Sequence, residues 1–371
     1  LSERVHQLRW SLLPEQNRVG EMLFSHYRNG NVRLTVTQEF LNRLVPVMKD
    51  VRTPVREEIL GARVLGNSAT WTKVGIELVP DEEHVHMQVQ ASGHVAAQTR
   101  SFMGPVVLYN RNRSRFFLRK RIVMGPKGVE IGRSDAVASG DLYLLGLKTD
   151  FDKFPVLGSV VRRVAKQQAT DQRQLARRII ERRVANQAEE QVDEQVTEQL
   201  AAAEKRMEEK LLKPLQRMQL DPDTIEMRTV EHNGQKRIVF RGRLAGQHQL
   251  AAFTARPRAL VGNLVSLQLH DSVLNNFVQQ MNLDGQRGDL RELIGAMLQK
   301  FEGLDLTVPE ETPDDVTIQL ADHDALRVYC DDDCIRVTLR IAELSTLRRR
   351  WRNFAVSADY FPHSDGFQVE L

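Results

Sequence analysis

Two stretches of the chain carry the same pattern: residues 32–48 read VRLTVTQEFLNRLVPVM, and residues 265–281 read VSLQLHDSVLNNFVQQM. The two stretches align without a gap, so that position 41 stands against position 274. The identical pairs are Val32 and Val265, Leu34 and Leu267, Leu41 and Leu274, Asn42 and Asn275, Val45 and Val278, and Met48 and Met281. This match indicates an internal duplication, and chance similarity of two amphipathic segments is the alternative.

Each copy changes its hydrophobic period half-way along. Apolar residues alternate at first, as in Val32, Leu34 and Val36, which is typical of a half-buried strand. The later apolar residues recur at helical spacing. They are Leu41, Leu44, Val45 and Met48 in the first copy and Leu274, Phe277, Val278 and Met281 in the second. Each copy is therefore predicted to be a strand that leads into a helix with one apolar face, capped by Thr37 or by Asp271.

The sequence around each copy predicts antiparallel strands. After the first copy, strand-like runs cover 62–78, 85–102, 106–110, 115–124 and 129–131, with turn signals such as Asn110–Asn112 between them. The tripeptide His232–Gly234 indicates a hairpin between 225–230 and 237–244, because Asn233 and Gly234 tolerate positive φ. Later runs cover 316–320, 326–329, 335–341, 354–360 and 367–371, and a helix is predicted at 290–301. These runs predict an α+β fold.

A long charged helix is predicted between the two groups of strands. Residues 157 to about 218 lack Gly and Pro from Ser159 to Lys213, and an apolar stripe passes through Val184, Ala188 and Val192. We therefore expect a first lobe at 1–156, a helix at 157–219 and a second lobe at 220–371. Basic residues crowd the first half of this helix and acidic residues the second. An antiparallel homodimer would match these charges, but a helix that lies across its own sheets is the interpretation we favour.

The bulk composition excludes some classes of protein. At 371 residues the chain exceeds the size at which a single core keeps growing. The formal net charge of +3 gives no indication of nucleic-acid binding, and no apolar run approaches the roughly 20 residues of a spanning helix. Because the sequence begins at Leu1, we expect any targeting segment to precede it, and the location stays open.

Three clusters of side chains are candidates for chemical sites. His84 and His86 could supply two metal ligands, although a solvated strand explains them equally. Cys330 and Cys334 flank a predicted hairpin turn and could form a cross-strand disulfide. Arg348–Arg352 could contact phosphates or lipid headgroups, but a solvated turn with Trp351 packed inward is the preferred interpretation. Since no strong catalytic signature occurs, we expect no enzyme, metal or cofactor.

One motif resembles a known family. Residues Ser272–Phe277, followed after a gap by Asp284 and Gly285, are similar to the entry into the second helix of tubular lipid-binding proteins, the class of bactericidal/permeability-increasing protein. The resemblance implies two similar lobes of curved antiparallel sheet packed on helices, here joined by the long charged helix. It also implies an apolar groove for acyl chains, lined by the eight helical positions of the two copies.

Two functions are expected from these features. The first is a non-catalytic protein of the bacterial envelope, or a secreted one, that binds lipid or another hydrophobic molecule at Leu41, Leu44, Val45, Met48, Leu274, Phe277, Val278 and Met281. Peripheral contact with a membrane would accompany this function. The second is a scaffold whose long helix docks on a partner and whose lobes are filled cores. A groove of several hundred Å³ is required by the first function and not by the second.

Overall fold

A computed structural model describes residues 2–126, 128–217, 219–253, 262–299, 308–313, 315–331, 333–365 and 368–370. The first part contains α1 (Ser2–Arg9), α2 (Pro14–His26), β1 (Val32–Thr37), α3 (Gln38–Leu44), β2 (Val51–Ile59), β3 (Ala62–Val79), β4 (Val85–Met103), β5 (Val106–Gly125), β6 (Gly128–Thr149) and α4 (Pro155–Met207). A π-helical turn (Glu208–Leu212) and α5 (Lys213–Arg217) follow. The rest contains β7 (Asp221–His232), β8 (Gln235–Ala245), β9 (Val265–Leu269), α6 (Asp271–Gln279), β10 (Arg287–Asp289), α7 (Leu290–Gln299), β11 (Thr317–Leu320), β12 (Leu326–Asp331), β13 (Cys334–Ser345), β14 (Arg350–Tyr360), β15 (His363–Asp365) and β16 (Gln368–Glu370).

The largest sheet is an antiparallel meander in the order β2-β3-β4-β5-β6. Its strands reach 22 residues in β6, and the twist of such long strands curls the sheet into a half-barrel. The alternation of strand side chains is clearest in β5, where Phe116 and Leu118 are buried whereas Arg115 and Phe117 are exposed. We call the face that carries Phe116 and Leu118 the inner face and the opposite one the outer face.

Helix α4 lies along the inner face of this sheet. Ala188 and Val192 are buried against Phe116, Leu118 and Ile122. The neighbouring residues of the predicted stripe, Val184, Val196 and Leu200, pack on the same cluster. The apolar stripe is therefore the face of the helix that packs on its own sheet, as the favoured interpretation required.

Carboxylates of α4 also bond to β6, the edge strand of the sheet. Glu181 accepts a hydrogen bond from the Gly140 N–H (2.9 Å), and Glu189 accepts one from the Ala136 N–H (3.0 Å). Asp193 accepts hydrogen bonds from the Ser134 hydroxyl and from the Lys120 ammonium. Because an open edge presents unpaired N–H groups, the bonds from Gly140 and Ala136 satisfy backbone donors that would otherwise need water or another strand.

The two copies of the duplicated segment meet in a second sheet, in the order β7-β8-β1-β9. Strands β1 and β9 pair antiparallel, with Leu34 opposite Leu267. These two leucines occupy the same position in the two copies. The pairing is therefore symmetric about them, and a local twofold axis relates the copies.

Hydrogen bonds repeat in the two copies. Thr37 caps α3 by accepting from the Phe40 N–H, and His270, the matching position, caps α6 by accepting from the Ser272 N–H. The cap of the second copy is thus His270, and the prediction of Asp271 was wrong. The usual N-cap residues, Ser, Thr, Asp and Asn, accept with a side-chain oxygen. In His270 the imidazole Nδ1 accepts the bond instead.

The matching asparagines fasten each helix to a strand of its own lobe. Asn42 accepts from the Ile76 N–H (2.8 Å) and donates to the Ile76 carbonyl (2.7 Å). Asn275 accepts from the Val328 N–H (3.0 Å) and donates to the Val328 carbonyl (2.8 Å). The same two-bond contact in both copies shows that the match in sequence corresponds to a match in structure.

The second lobe has a smaller sheet. Strand β14 pairs with one side of β13, while β11 and β12 share the other side and β10 extends from β11. Met281, Ile318, Leu320 and Ile341 form its core, with α7 contributing partly buried side chains. The predicted fold class, two lobes of antiparallel sheet on helices with one long charged helix, is confirmed.

Several local predictions differ from the structure. Strand β5 passes unbroken through the predicted turn at Asn110–Asn112, and β6 extends well beyond residue 131 to Thr149. Trp351 is exposed and does not pack inward. The hairpin at Asn233 and Gly234 is confirmed, since both residues have positive φ. Met218, the predicted end of the long helix, lies outside the described residues, as do Phe301 and Phe367. The predicted domain boundaries stay a prediction.

Candidate hydrophobic pocket

A pocket of about 350 Å³ lies between the first half of α4 and the inner face of the first sheet. The helix residues that line it include Ala169, Arg173, Ala176 and Ile180, which recur at intervals of three and four and so share one face. This face continues into the buried stripe that begins at Val184. The small side chains of the two alanines leave space between helix and sheet.

The sheet supplies an apolar wall. Ala62, Val64 and Leu108 are buried at its floor. The full lining comprises Ile59, Leu60, Ala62, Val64, Thr99, Ser101, Met103, Leu108, Asn110, Leu142, Tyr143, Leu144, Lys166, Ala169, Thr170, Gln172, Arg173, Ala176 and Ile180. The volume falls at the lower end of the range of about 300–1,000 Å³ for small-molecule sites, which are mostly apolar with a few polar groups.

The charges at the pocket are all positive. Lys166 and Arg173 belong to α4, seven residues and therefore about 10 Å apart along the helix axis. None of the lining residues described is acidic. The Arg173 guanidinium lies 6.0 Å from the centre of the Tyr143 ring, at the outer limit of a cation–π contact. The pocket can therefore hold an apolar chain while it presents two cations to an anionic group.

One residue of the pocket is in a strained conformation. Leu60 and Gly61 form the two-residue turn between β2 and β3, with φ values of 53° and 75°. Positive φ suits glycine but costs a residue such as leucine roughly 1–2 kcal/mol. Leu60 nevertheless lines the pocket. Asparagine, which tolerates positive φ, would relieve the strain and remove an apolar side chain from the wall.

The eight residues expected to bind lipid lie elsewhere. None of them lines this pocket. In the first copy, Leu44 is largely exposed, whereas Leu41, Val45 and Met48 are half-buried. In the second copy, Leu274 and Val278 are half-buried, Phe277 packs on the core of the second lobe, and Met281 is part of that core. Lipid contact at Leu41, Leu44, Val45, Met48, Leu274, Phe277, Val278 and Met281 stays a prediction.

The histidine pair lies beside an aspartate at the turn before β4. The Nδ1 atoms of His84 and His86 are 3.8 and 4.0 Å from the carboxylate oxygens of Asp81. Hydrogen bonds from the backbone N–H groups of Glu83 and His84 lower the pKa of Asp81. Within the part of the chain that the structure describes, no group of three or more potential ligands is placed to hold a metal ion.

The cysteine and arginine clusters also have defined surroundings. Cys330 pairs across the hairpin with Ile335, and Cys334 pairs with Asp331, so the two thiols are offset and free. Burial, with smaller effects of nearby charges, raises the pKa of the Cys330 thiol. Arg350 and Arg352 both pair with Glu343, at 3.4 and 3.0 Å. This ion-paired cluster fits a solvated strand better than a phosphate site.

The sequence and the fold have few similarities to known proteins. No protein-family model matches the sequence, and no curated protein matches it. Among solved structures, this chain has a weak resemblance to the crystal structure of a lipopolysaccharide binding protein. The identity is 9%, the match covers 90% of this chain and 79% of that chain, and the TM-score is 0.28. At this score the likeness establishes neither a family nor a ligand. None of the described helices is long and apolar enough to span a membrane.

Proposed function

We propose that this chain is a non-catalytic binding protein that holds an amphiphile in the pocket between α4 and the first sheet. The ligand class is a molecule with one acyl chain and an anionic headgroup. The observation that carries the proposal is the pocket wall, which combines apolar side chains with Lys166 and Arg173 and no acidic residue among those described. The predicted envelope or secreted setting is part of the same proposal and stays untested.

The size of the pocket sets the expected affinity. Burial of an acyl chain contributes about 0.8 kcal/mol for each methylene, so eight methylenes contribute roughly 6 kcal/mol. Association itself costs at least about 4 kcal/mol. Micromolar binding requires a net free energy near −8 kcal/mol. The headgroup must therefore add several kcal/mol, and the two cations of α4 are placed to supply it.

Filling the pocket tests the proposal. An environment-sensitive fluorescent fatty acid should bind the full chain and should be displaced by dodecanoate. Ala176→Trp puts an indole into the pocket and should abolish displaceable binding. Ala202→Trp is the matched control, since Ala202 is an exposed alanine of the same helix. If Ala176→Trp binds the probe as well as the control does, the pocket is not the site.

A second comparison isolates the headgroup. The double variant Lys166→Gln/Arg173→Gln should bind dodecanoate at least tenfold more weakly, because charged hydrogen bonds contribute about 1.5–3 kcal/mol each. Its affinity for dodecanol, which has the same chain and no charge, should be unchanged. Equal losses for the two ligands would mean that the variant has damaged the pocket and that the cations do not recognise a headgroup.

A scaffold function is the second candidate, because the first turns of α4 carry exposed apolar residues. Val156, Leu157, Val160 and Val164 are each more than half exposed. Such a stripe is typical of a helix that docks on a partner. The partner is a second copy of this chain in the simplest form of this function. Sedimentation of the wild type and of Val160→Ser/Val164→Ser tests that form: a dimer that dissociates in the variant supports it, and a monomeric wild type rules it out.

A further inference from the structure

The outer face of the first sheet carries a row of arginines. In β5, every second residue points away from α4, and five of these residues are Arg111, Arg113, Arg115, Arg119 and Arg121. Successive outward side chains of a strand lie about 6.6 Å apart, so the row extends over roughly 33 Å. The residues of β5 that alternate with these arginines point to the inner face and are buried, and several of them pack on α4.

Part of this row borders a trough on the outer face. The trough has a volume of about 960 Å³ and is lined by Arg52, Arg100, Arg111 and Arg113. Ala69 and Ala96 pair across strands β3 and β4 at its floor, and Arg52 and Arg113 are their neighbours on either side. Two small residues between two arginines leave a recess with cations at both rims. None of the lining residues described is acidic.

Within the described part of the chain, five of the arginines on this face lack carboxylate partners, whereas Arg121 lies 3.9 Å from Glu130. Among the residues that the structure describes, Arg52, Arg100, Arg113, Arg115 and Arg119 form no ion pair within 4.0 Å. Asp135 and Asp141 stand opposite Arg119 and Arg113 on β6. The Asp141 carboxylate lies 3.7 Å from Arg177 of α4. The outer face therefore has a surplus of positive charge that the protein does not neutralise, although the whole chain has a net charge of only +3.

The aromatic and aliphatic side chains on this face favour a membrane over a single-stranded nucleic acid. Base stacking needs open ring faces. Trp71 is already stacked on His94 (4.8 Å between centroids), and the Arg119 guanidinium lies 4.9 Å from the Phe117 centroid. The neighbouring edge strand exposes Val137 and Leu145, which are 65% and 56% accessible. Aliphatic groups beside arginines suit the interface of an anionic bilayer.

We propose that the outer face of the first sheet docks on an anionic lipid bilayer, with headgroup phosphates bound by the arginines of β5 and of the trough. The row is provided by Arg113, Arg115 and Arg119 of β5. The opposite rim of the trough is provided by Arg52 of β2, and Arg100 lies between them on β4. This surface is separate from the pocket on the inner face. The docking does not depend on what the pocket binds.

Vesicle sedimentation tests the proposal with the full chain. The wild type should sediment with vesicles of phosphatidylglycerol and phosphatidylcholine, should not sediment with phosphatidylcholine alone, and should be released by salt. A basic residue near an anionic surface contributes roughly fivefold to partitioning. Arg113→Gln/Arg115→Gln/Arg119→Gln should therefore partition on the order of 100-fold less.

A matched control removes the same charge elsewhere. Arg163, Arg178 and Arg182 are exposed on α4, and their triple replacement by Gln should cost no more than about fivefold. Should the β5 variant fail to fold by circular dichroism, Arg52→Gln/Arg100→Gln is the substitute, with an expected loss of roughly 25-fold. Equal losses in test and control variants would overturn the proposal. So would tight binding of a single-stranded oligonucleotide by a wild type that ignores anionic vesicles.

Discussion

Replacement of Asp193 by asparagine should weaken the attachment of α4 to the first sheet. The Lys120 ammonium lies 2.5 Å from the Asp193 carboxylate, and the lysine side chain is only 5% exposed. Loss of one partner from a fully buried ion pair costs about 3–5 kcal/mol, whereas exposed pairs contribute about 0–1 kcal/mol. Because the Asp193 side chain is 44% exposed, water screens this pair. We expect Asp193→Asn to lower the free energy of unfolding by about 2 kcal/mol.

The two partners should respond unequally. Lys120→Met replaces the buried charge by an apolar side chain of similar length, and leaves a half-exposed carboxylate that still accepts from Ser134. This variant should therefore cost less than about 1 kcal/mol or stabilise the protein. In a double-mutant cycle measured by urea unfolding, the Lys120→Met/Asp193→Asn variant should resemble Lys120→Met. A neutral Asp193→Asn variant, or a Lys120→Met variant that loses more stability than Asp193→Asn, would show that the pair does not hold α4 in this way.

The same pair has a defined pH dependence. Burial raises the pKa of Asp193, but hydrogen bonds from Lys120 and Ser134 together with the Lys120 charge outweigh it, so the pKa is lowered from its ordinary value of 3.8. A carboxyl whose pKa is lower in the folded state stabilises that state above the unfolded pKa. This stabilisation is lost as the pH falls below 3.8 through the folded pKa. The difference in stability between wild type and Asp193→Asn should shrink over that window.

Two further predictions concern the duplicated contact and the strained turn. Asn275→Ala should lower the free energy of unfolding, measured in urea, by about 1–3 kcal/mol, because it leaves the Val328 N–H and carbonyl without their partner. Asn42→Ala should lower it by less, because Asn42 is exposed. Equal, negligible losses would show that the asparagines do not fasten the helices. Leu60→Asn should raise the free energy of unfolding by about 1 kcal/mol because asparagine tolerates positive φ. The same variant should bind fatty acid more weakly. Unchanged affinity would mean that Leu60 does not contact the ligand.

The duplicated units were predictable because the sequence pattern and the structure obey the same periodicities. A strand period followed by a helix period specified β1–α3 and β9–α6, and the symmetric pairing of Leu34 with Leu267 confirms that the units correspond. The first helix was predicted too long: α3 ends at Leu44 and not near Met48, because Pro46 disfavours helical backbone at the residue before it. The stripe at Ala188 and Val192 likewise identified the buried face of α4. In each case apolar residues recur at the period of the element that buries them.

Strands β5 and β6 were predicted poorly because their inner faces are not uniformly apolar. Asn112 resembles a turn residue, yet it is buried in β5 and donates a hydrogen bond to Ser114. The inner face of β6 carries small residues such as Ala136 and Gly140, and a Cβ at Gly140 would collide with Ser114. Small residues allow close packing of neighbouring elements but give no hydrophobic alternation.

The pocket was missed for a related reason. The face of α4 that lines the pocket contains Lys166 and Arg173 among small residues, so its sequence does not show the pattern of an apolar stripe. Extension of the buried stripe upstream from Val184 through Ile180 and Ala176 would have identified the face. The opposite wall comes from all five strands of one sheet, which local sequence patterns do not bring together.

Photo-crosslinking with a diazirine-bearing fatty acid, followed by peptide mass spectrometry, locates the ligand on the chain. We expect label on peptides that contain residues 169–180 of α4 and Leu142–Leu144 of β6, and loss of that label when dodecanoate is added in excess. Label concentrated on residues 41–48 or 274–281, or spread evenly over the surface and insensitive to competitor, would contradict a ligand site between α4 and the first sheet.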